Sequence, residues 1–486
     1  MRSVGVGVVL RVAPGVVAGA GVLLLALWLT SGRHTVPLPA RLPEPETVRP
    51  VTTGKVNLAG VFLKSAGVPA SLPGSWPRFR GERLDGISTE TSLAQSWAPA
   101  GPKPLWSIAL GEGYAGAAVL GGRVYVLDYD QAARRDALRC LSLADGGEIW
   151  RRSYPVKIKR NHGMSRTVPA VTAKYVVTLG PKCHVLCCDA QSGKYLWGMD
   201  LVRQFRTRVP LWYAGQCPLI DGGRAILAPG GTALMIAVDC ATGKVLWKAP
   251  NPRGWGMSHS SILPMTLRGR KTYVYCAAGG VVGVDANCGA ILWETDAWKI
   301  SIATVPTPVH VGGGRIFLTG GYGAGCMMLQ VAQEGGRFVP KPLYRLEARE
   351  FCSEQQTPIL LASRSGLGER LLSVLAKGGP ISQQLACMSL EGKVLWTSGI
   401  DNQYGLGPFL VAGDLLFALK DNGQLTLAQV GPRGMKVLAQ AKVLYKQTDK
   451  GLLPGTDAWG PMALVDGRLI VRDLARMVCL DVRAGG

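Results

Sequence analysis

Short apolar runs alternate with glycine-containing turns along most of the chain, and the pattern returns at a regular interval. The stretch Asp239–Trp247 reads DCATGKVLW, and close copies of it occur at Asp189–Trp197, Asp285–Trp293, Ser389–Trp396 and Leu143–Trp150. Apolar runs of this length, bounded by Gly, Pro and Asp, predict strands rather than helices. A phrase that recurs at a fixed spacing predicts a structural repeat before it predicts a site.

Two independent markers give the number of repeats. The tryptophans that end the phrase lie 44 to 50 residues apart over the first five copies, and they are Trp106, Trp150, Trp197, Trp247, Trp293 and, after a double gap, Trp396. Weaker copies lie at Leu329–Val339 and Leu427–Leu438. Proline-led apolar stretches recur at Pro169, Pro218, Pro264, Pro308, Pro358, Pro408 and Pro461, after a first copy, Tyr114–Leu127, that has alanine instead. Both markers therefore indicate eight units.

Each unit divides into four short strands joined by tight turns. In residues 218–247 a proline-led strand, a glycine turn and a second strand are followed by another glycine turn, MIAVD, the turn CATG and KVLW. Eight such units predict an all-β fold, an eight-bladed β-propeller of four-stranded antiparallel blades. Because the first phrase, Pro104–Leu110, has no strands of its own before it, we expect it to complete the C-terminal blade and close the ring.

The N-terminal region has a different pattern. Residues 12–32 are apolar and carry no charge, whereas arginines precede them. This pattern predicts a transmembrane anchor over residues 12–32 with residues 1–11 in the cytoplasm, and a cleaved signal peptide is the alternative. Residues 33–74 are rich in proline and predict an extended linker, and residues 75–486 would form the propeller. We therefore expect a single-pass protein of the bacterial inner membrane with its propeller in the periplasm, or a periplasmic protein if the segment is cleaved.

The net charge of the chain indicates which classes of partner it would attract. The 54 Lys and Arg residues against 32 Asp and Glu give a net charge of +22, which would attract acidic lipids, polyanions or acidic proteins. The sequence has no zinc-finger spacing, no basic recognition helix and no basic–aromatic RNA motif. We therefore expect no nucleic-acid partner.

The cysteines follow the repeat. Twelve cysteines in an exported chain would suggest disulfides. However, Cys140 and Cys187 lie ten residues before the tryptophan of their repeats, at a position that other repeats fill with Ala237 or Gly283. A position that accepts Cys, Ala or Gly predicts a small buried core residue.

The repeated phrase, A-x-D-x-x-T-G-K-x-x-W, resembles the tryptophan-docking motif of the PQQ-like β-propeller repeat. Residues Trp76–Ser88, WPRFRGERLDGIS, resemble the opening of exported bacterial proteins that carry this repeat. The superfamily includes quinoprotein alcohol dehydrogenases and BamB-type outer-membrane assembly lipoproteins. The resemblance covers residues 76–486 and implies the fold, but the same repeat serves enzymes and scaffolds, so it does not imply an activity.

A dehydrogenase of this superfamily is expected to bind pyrroloquinoline quinone (PQQ) and Ca²⁺ through an acidic cluster, an Asp base and an Arg, often with a vicinal disulfide. Cys187 and Cys188 are adjacent, but neighbouring side chains of a strand point to opposite faces. The sequence has no C-x-x-C-H haem motif, and its five histidines show no metal-ligand spacing. We therefore expect no cofactor, no metal site and no catalytic residue, with PQQ and Ca²⁺ as the alternative.

A propeller binds ligands at the mouth of its central channel, where the loops that enter the innermost strands converge. The candidate ligand- or partner-binding residues in these loops are Tyr114, His162, Arg166, Trp212, Tyr213, Trp255, His259, Gln356, Tyr404 and Trp459. Aromatic and amide side chains suit the recognition of sugars, peptides or protein loops. The alternative is that several of these aromatics pack one blade against the next.

The sequence thus predicts a non-catalytic binding scaffold for protein partners in the bacterial cell envelope, for example in membrane-protein or outer-membrane assembly. Basic charge would favour encounter with acidic partners. The alternatives are a PQQ- and Ca²⁺-dependent quinoprotein dehydrogenase and a carbohydrate-binding envelope protein. The oligomeric state stays open.

Overall fold

The computed structural model describes residues 17–27, 56–361, 368–448, 451–454 and 457–485. The chain forms two compact units, Met1–Thr53 and Gly54–Gly486. In the first unit, residues 17–27 form helix α1. The described part of the second unit consists of strands, a short helix α2 (Leu201–Phe205) and a 3-10 helix (Ile400–Asn402).

The predicted transmembrane anchor is wrong, and with it the single-pass inner-membrane location. The described part of helix α1, residues 17–27, is about 16 Å long, roughly half the thickness of a bilayer's apolar core. Within the described ranges, no helix has the length and apolarity needed to cross a membrane. Residues 12–16 and 28–32 of the predicted anchor lie outside those ranges. A lack of charge indicates apolar character, but it does not set the length of a helix.

The second unit is an eight-bladed propeller of antiparallel blades, which confirms the predicted fold. The strands of its first four blades are β5 (Ala118–Leu120), β6 (Arg123–Asp130), β7 (Arg135–Ser142) and β8 (Glu148–Pro155); β9 (Ala170–Val171), β10 (Tyr175–Leu179), β11 (His184–Asp189) and β12 (Tyr195–Asp200); β13 (Leu219–Asp221), β14 (Arg224–Leu227), β15 (Met235–Asp239) and β16 (Val245–Ala249); and β17 (Leu263–Leu267), β18 (Arg270–Ala277), β19 (Gly280–Asp285) and β20 (Ile291–Thr295).

The remaining blades have the same order. Their strands are β21 (Val309–His310), β22 (Arg315–Gly320), β23 (Gly325–Glu334) and β24 (Arg337–Leu346); β25 (Ile359–Leu361), β26 (Arg370–Val374), β27 (Leu385–Ser389) and β28 (Val394–Thr397); β29 (Phe409–Ala412), β30 (Leu415–Leu419), β31 (Gln424–Val430) and β32 (Met435–Lys442); and, in blade 8, β35 (Ala463–Val465), β36 (Arg468–Arg472), β37 (Arg476–Asp481) and β4 (Pro104–Ala109). A separate hairpin, β33 (Tyr445–Thr448) and β34 (Gly451–Pro454), lies between blades 7 and 8.

Every blade carries the same irregularity between its third and fourth strands. In blade 3, Ala237 pairs with Trp247 and Val238 pairs with Val245, so the outer strand holds one extra residue, Leu246. The register shifts at the equivalent place in all eight blades. A bulge of this kind increases the local twist of a strand pair. The fixed length of the repeated phrase therefore preserves one turn geometry around the ring.

The residue opposite each tryptophan has to be small. Cys140, Cys187 and Ala237 pair with the tryptophans of their blades, and each is fully buried. At Gly283, an added Cβ would lie 2.1 Å from Trp293 Nε1. The indole ring covers this position, which confirms the small core residue that the sequence predicted.

Each tryptophan docks on the next blade. Trp197 donates from Nε1 to the Cys240 carbonyl at 2.9 Å, and an added Cβ on Gly243 would lie 2.7 Å from its ring. Gly243 has a φ of +72°, which glycine adopts without strain. In blade 5 the same place is taken by Tyr344, which contacts Gly392 of blade 6. The repeated Asp–Gly–Trp phrase therefore joins neighbouring blades.

The ring closes as predicted. Strand β4, from the N-terminal part of the unit, pairs with β37 as the outer strand of blade 8. Its Trp106 donates to the Leu143 carbonyl of blade 1 at 3.0 Å and lies against Gly146. The last blade is thus completed by the first phrase and docks on blade 1 like any other neighbour.

Residues before β4 add three short strands: β1 (Val61–Lys64), β2 (Ser75–Trp76) and β3 (Ile87–Ser88). Strand β1 extends blade 1 outward by pairing with β8, so part of the stretch expected to be a linker is ordered against the propeller. We call residues 75–94 the N-terminal strap. It contacts blades 1, 2, 3, 6, 7 and 8 through the pairs Trp76–Val119, Pro77–Val171, Arg78–Ile220, Arg80–Pro358, Ile87–Val411 and Glu90–Gly467.

Candidate functional site

The antiparallel order of the strands puts two sets of loops on one face of the propeller. The connections between successive blades, such as residues 201–218, lie at the same end of the strands as the turns between second and third strands, such as residues 320–325. We call this end the connector face. The N-terminal strap pairs with the far ends of the innermost strands β5 and β29, so it covers the opposite end of the central channel.

Aromatic side chains from distant blades meet on the connector face. Trp459, from the connection between blades 7 and 8, stacks on Tyr114 with ring centroids 5.1 Å apart and an interplanar angle of 24°. The Arg166 guanidinium carbon lies 5.1 Å from the centroid of the Tyr114 ring. Arg166 also donates to the main-chain oxygen of Trp212. These contacts link blades 8, 1, 2 and 3.

Trp212 extends the contacts to blade 5. Its ring stacks on Tyr322, from the turn between β22 and β23, with centroids 6.0 Å apart and an interplanar angle of 19°. His259 packs edge-on against Trp212 with centroids 6.2 Å apart. Because Trp212 precedes blade 3 and Tyr322 belongs to blade 5, the stacked pair reaches past blade 4 and lies over the mouth of the channel.

A lysine and two carboxyl groups complete the set. The Lys377 ammonium lies 5.8 Å from the Trp459 ring centroid, and it attracts the Glu354 carboxylate. Asp421 accepts hydrogen bonds from Trp459 Nε1 at 2.9 Å and from the Leu406 amide at 2.7 Å. We call the following side chains the mouth cluster: Tyr114, Arg166, Trp212, Tyr322, Glu354, Lys377, Asp421 and Trp459.

Burial dominates the ionisation of these groups. Desolvation raises the pKa of the Glu354 and Asp421 carboxyls, and the charge of Lys377 opposes both shifts. Desolvation lowers the pKa of Arg166 to about 10 and, together with the Arg166 charge, lowers that of His259 to about 4. At pH 7 Arg166 is therefore a cation and His259 is a neutral ring.

Arg166 holds the connections in place. Its Nη2 donates to the carbonyls of Asn161 at 2.9 Å and His162 at 3.1 Å, in addition to its bond to Trp212. The Asn161 amide in turn donates to the Leu211 carbonyl at 2.9 Å. Because its Nε and Nη2 donate to main-chain oxygens, Arg166 acts as a positioning residue for Tyr114 and Trp212.

The structure brings half of the predicted binding residues together. Tyr114, Arg166, Trp212, His259 and Trp459 lie in or against the mouth cluster. Two more flank it: His162 is exposed, and Tyr213 is buried with its hydroxyl donating to the Lys159 carbonyl. That these side chains bind a partner stays a prediction.

Three predicted residues serve the packing of blades. Trp255 is 8% exposed and covers Gly279 and Gly280, where an added Cβ would lie within 2.4 Å of its ring. Tyr404 is fully buried in the core between blades 6 and 7. The Gln356 side chain donates to the Leu406 carbonyl at 3.0 Å. The contacts of Trp255 and Tyr404 agree with the alternative stated from the sequence, namely that some of these aromatic residues pack one blade against the next.

Tyr322, Glu354, Lys377 and Asp421 were not among the residues predicted from the sequence. Glu354 lies in the same connection between blades as the predicted residue Gln356. Tyr322, Lys377 and Asp421 lie in turns between second and third strands. In an antiparallel blade those turns share an end with the connections, so the polar and aromatic residues of GGYGAG and LKDNG could have been included.

A quinone site with a vicinal disulfide does not fit the described residues. Cys187 packs in the core that blades 2 and 3 share, and Cys188 packs in a different core with residues of blade 1. Both are free thiols, and burial raises the pKa of Cys188 to about 12. Among the residues that the structure describes, there is no group of three or more His, Cys, Asp or Glu side chains that could hold a metal ion.

Part of the repeat region is similar to a known protein family. Residues 134–364 match the family model described as outer membrane protein assembly factor BamB. No curated protein sequence matches the chain. BamB from Moraxella catarrhalis superposes with a TM-score of 0.50 at 14% identity, over 78% of this chain and 98% of that one.

Solved dehydrogenase structures match more loosely. A europium-containing methanol dehydrogenase has a TM-score of 0.45 at 12% identity, over 82% of this chain and 89% of its own. The quinohemoprotein alcohol dehydrogenase of Comamonas testosteroni has a TM-score of 0.42 at 14% identity, over 85% and 81%. Identities this low show the fold alone. Over residues 134–364, slightly less than half of its length, the chain is therefore similar to the BamB family, and it has the fold of an eight-bladed propeller with four-stranded blades.

Proposed function

We propose that the protein is a non-catalytic scaffold that binds a protein partner through its connector face. The mouth cluster carries this proposal, because it presents Trp212, Trp459 and Tyr322 together at a partly exposed surface; Tyr322 is 38% exposed. Buried or half-buried Trp, Tyr and Arg side chains contribute most of the affinity in protein interfaces. The description of the matching family, an assembly factor, supports a protein as the partner.

The contacts within the cluster favour binding because they fix the rings in advance. Trp212 is stacked on one side and held through its main chain by Arg166, and Trp459 is held by Asp421. Side chains that are already ordered lose less conformational entropy when a partner docks. A rigid aromatic surface on loops is therefore suited to repeated binding without any chemical step.

Site-specific photocrosslinking tests the proposal. A benzoylphenylalanine placed at His162 or Tyr322 should crosslink to a discrete protein in cells that produce the chain. The same group at Lys244, which is exposed in a turn on the opposite face, should not. Trp212→Ala combined with Trp459→Ala should reduce the Tyr322 crosslink severalfold, whereas Leu246→Ala, at an exposed outer-strand residue, should leave it unchanged.

Two results would contradict the proposal. Crosslinks from Lys244 but from neither His162 nor Tyr322 would assign binding to the opposite face. Saturable quenching of tryptophan fluorescence by PQQ with Ca²⁺, together with a raised melting temperature that Trp212→Ala abolishes, would assign the connector face to a quinone instead.

A further inference from the structure

The connector face carries a dense group of cations over blades 1 to 3. The connection from β8 to β9 supplies the exposed side chains of Lys157 and Lys159, and the segment after α2 supplies those of Arg206 and Arg208. We call these four residues the basic ridge. They lie beside the mouth cluster, because Tyr213 and Lys159 share a hydrogen bond and Trp212 is bonded to Arg166.

Direct contacts hold the two halves of the ridge side by side. The Asn161 amide donates to Leu211, and the Tyr213 hydroxyl donates to Lys159, so the two connections are joined at two points. The Lys182 ammonium lies 5.1 Å from the Tyr213 ring centroid. On the other side, the Phe205 carbonyl accepts from the Thr232 amide of blade 3 at 2.7 Å. The ridge is therefore a fixed feature and not a set of independent loops.

The charges of the ridge are not neutralised within the described residues. No carboxylate there forms an ion pair with any of its four side chains. Two acidic residues close in sequence to these segments have other partners: Glu112 pairs with Arg160, and Asp200 caps α2 by accepting from the Arg203 amide at 3.1 Å. An uncompensated group of cations beside partly exposed aromatic rings attracts an anionic, extended ligand.

We infer that the basic ridge binds an acidic segment of the partner protein while the mouth cluster binds its apolar side chains. The inference rests on the proposed function and names the chemistry of the partner: a stretch rich in Asp and Glu that continues into an aromatic or aliphatic anchor. The carboxylates would pair with the ridge, which steers encounter, and the anchor would set the lifetime of the complex.

Charge reversal with a matched control tests the inference. The ridge variant combines Lys157→Glu, Lys159→Glu, Arg206→Glu and Arg208→Glu. The turn variant combines Lys194→Glu, Lys244→Glu, Lys393→Glu and Arg433→Glu, at exposed residues of turns on the opposite face, and it changes the net charge equally. The ligand is a fluorescein-labelled peptide of twenty residues, half of them Glu, followed by Trp, and anisotropy reports binding to the full chain.

The ridge variant should bind the peptide roughly tenfold or more weakly than the turn variant, and the difference should shrink as salt screens the charges. Equal affinities of the two variants, or no binding by the wild type at micromolar concentrations, would overturn the inference. So would tighter, ridge-dependent binding of single-stranded DNA or phosphatidylserine vesicles. The crosslinks at His162 and Tyr322 do not depend on this peptide. If the ridge variant and the turn variant bind the peptide equally but the crosslinks form, the scaffold function is supported and only the acidic-segment inference is wrong.

Discussion

The Asp136 carboxyl lies buried between blades 1 and 2, and its environment makes the stability of the propeller depend on pH. Asp136 is 1% exposed, and Tyr154 donates to its Oδ2 at 2.6 Å. Its Oδ1 has no hydrogen-bond partner among the described residues. Gly180 of blade 2 approaches so closely that an added Cβ would lie 2.3 Å from Oδ2. Desolvation raises the pKa of Asp136 from 3.8 to about 7, and the Tyr154 hydrogen bond offsets only part of that shift.

The sign of the effect follows from this raised pKa. In the unfolded chain the carboxyl loses its proton above pH 3.8, whereas in the folded chain it keeps the proton until about pH 7. The site therefore contributes stability that is fully present below pH 3.8 and is lost as the pH rises to 7. At 1.36 kcal/mol per pH unit, the loss between pH 5 and pH 8 is ~3 kcal/mol.

Asp136→Asn removes this titration and keeps the shape of the side chain. We expect the free energy of unfolding of the variant, relative to the wild type, to rise by ~3 kcal/mol between pH 5 and pH 8. Urea unfolding followed by tryptophan fluorescence at a series of pH values measures this difference. Asp296→Asn, whose side chain is 63% exposed, is the control and should show no such trend. A difference between Asp136→Asn and wild type that stays constant with pH would refute the reasoning.

Three further substitutions test the packing of the ring. Trp106→Ala should lower the free energy of unfolding by ~4 kcal/mol in urea titrations, because it removes the docking of blade 8 on blade 1. Gly193→Ala should lower the melting temperature by several degrees, since its φ is +69° and the added Cβ would lie 2.7 Å from a tryptophan ring. The control is Gly222→Ala, which has a φ of +56° and no neighbouring atom, and it should cost only the backbone strain of ~1 kcal/mol. Arg80→Met leaves four main-chain oxygens without their donor and should speed proteolysis of the N-terminal strap, whereas the exposed Arg83→Met should not.

The blade could be predicted from the sequence because its determinants are local. The turn glycine, the small residue in the third strand and the docking tryptophan lie within about a dozen residues, so every copy repeats them in the same order. The same reasoning reached blades 5 and 7, although their phrases are weak. Tyr344 explains how blade 5 keeps its contact without tryptophan, since its ring lies on Gly392 as an indole would.

The mouth cluster could be predicted only in part, because its contacts join residues far apart in the chain. The connections were identified from the repeat, which placed Trp212 and Trp459 on the right face. No local pattern indicates that Trp212 stacks on Tyr322 past an intervening blade, or that Lys377 lies over Trp459. The role of the N-terminal strap was missed for the same reason, since Arg80 finds its acceptors at Thr357 and Pro358.

The joining of β4 to β37 sets the order of events during synthesis on the ribosome. Residues 104–109 are made before any complete blade, yet their partner strand, residues 476–481, is made more than 360 residues later. At 5–20 residues per second, β4 waits roughly 20 to 70 s with an unpaired edge and an undocked Trp106. During that interval up to seven finished blades form an open arc whose two ends can each recruit a strand from another chain. Nascent chains held at high local density should therefore exchange β4 between molecules, and the yield of closed rings should fall as the expression rate rises.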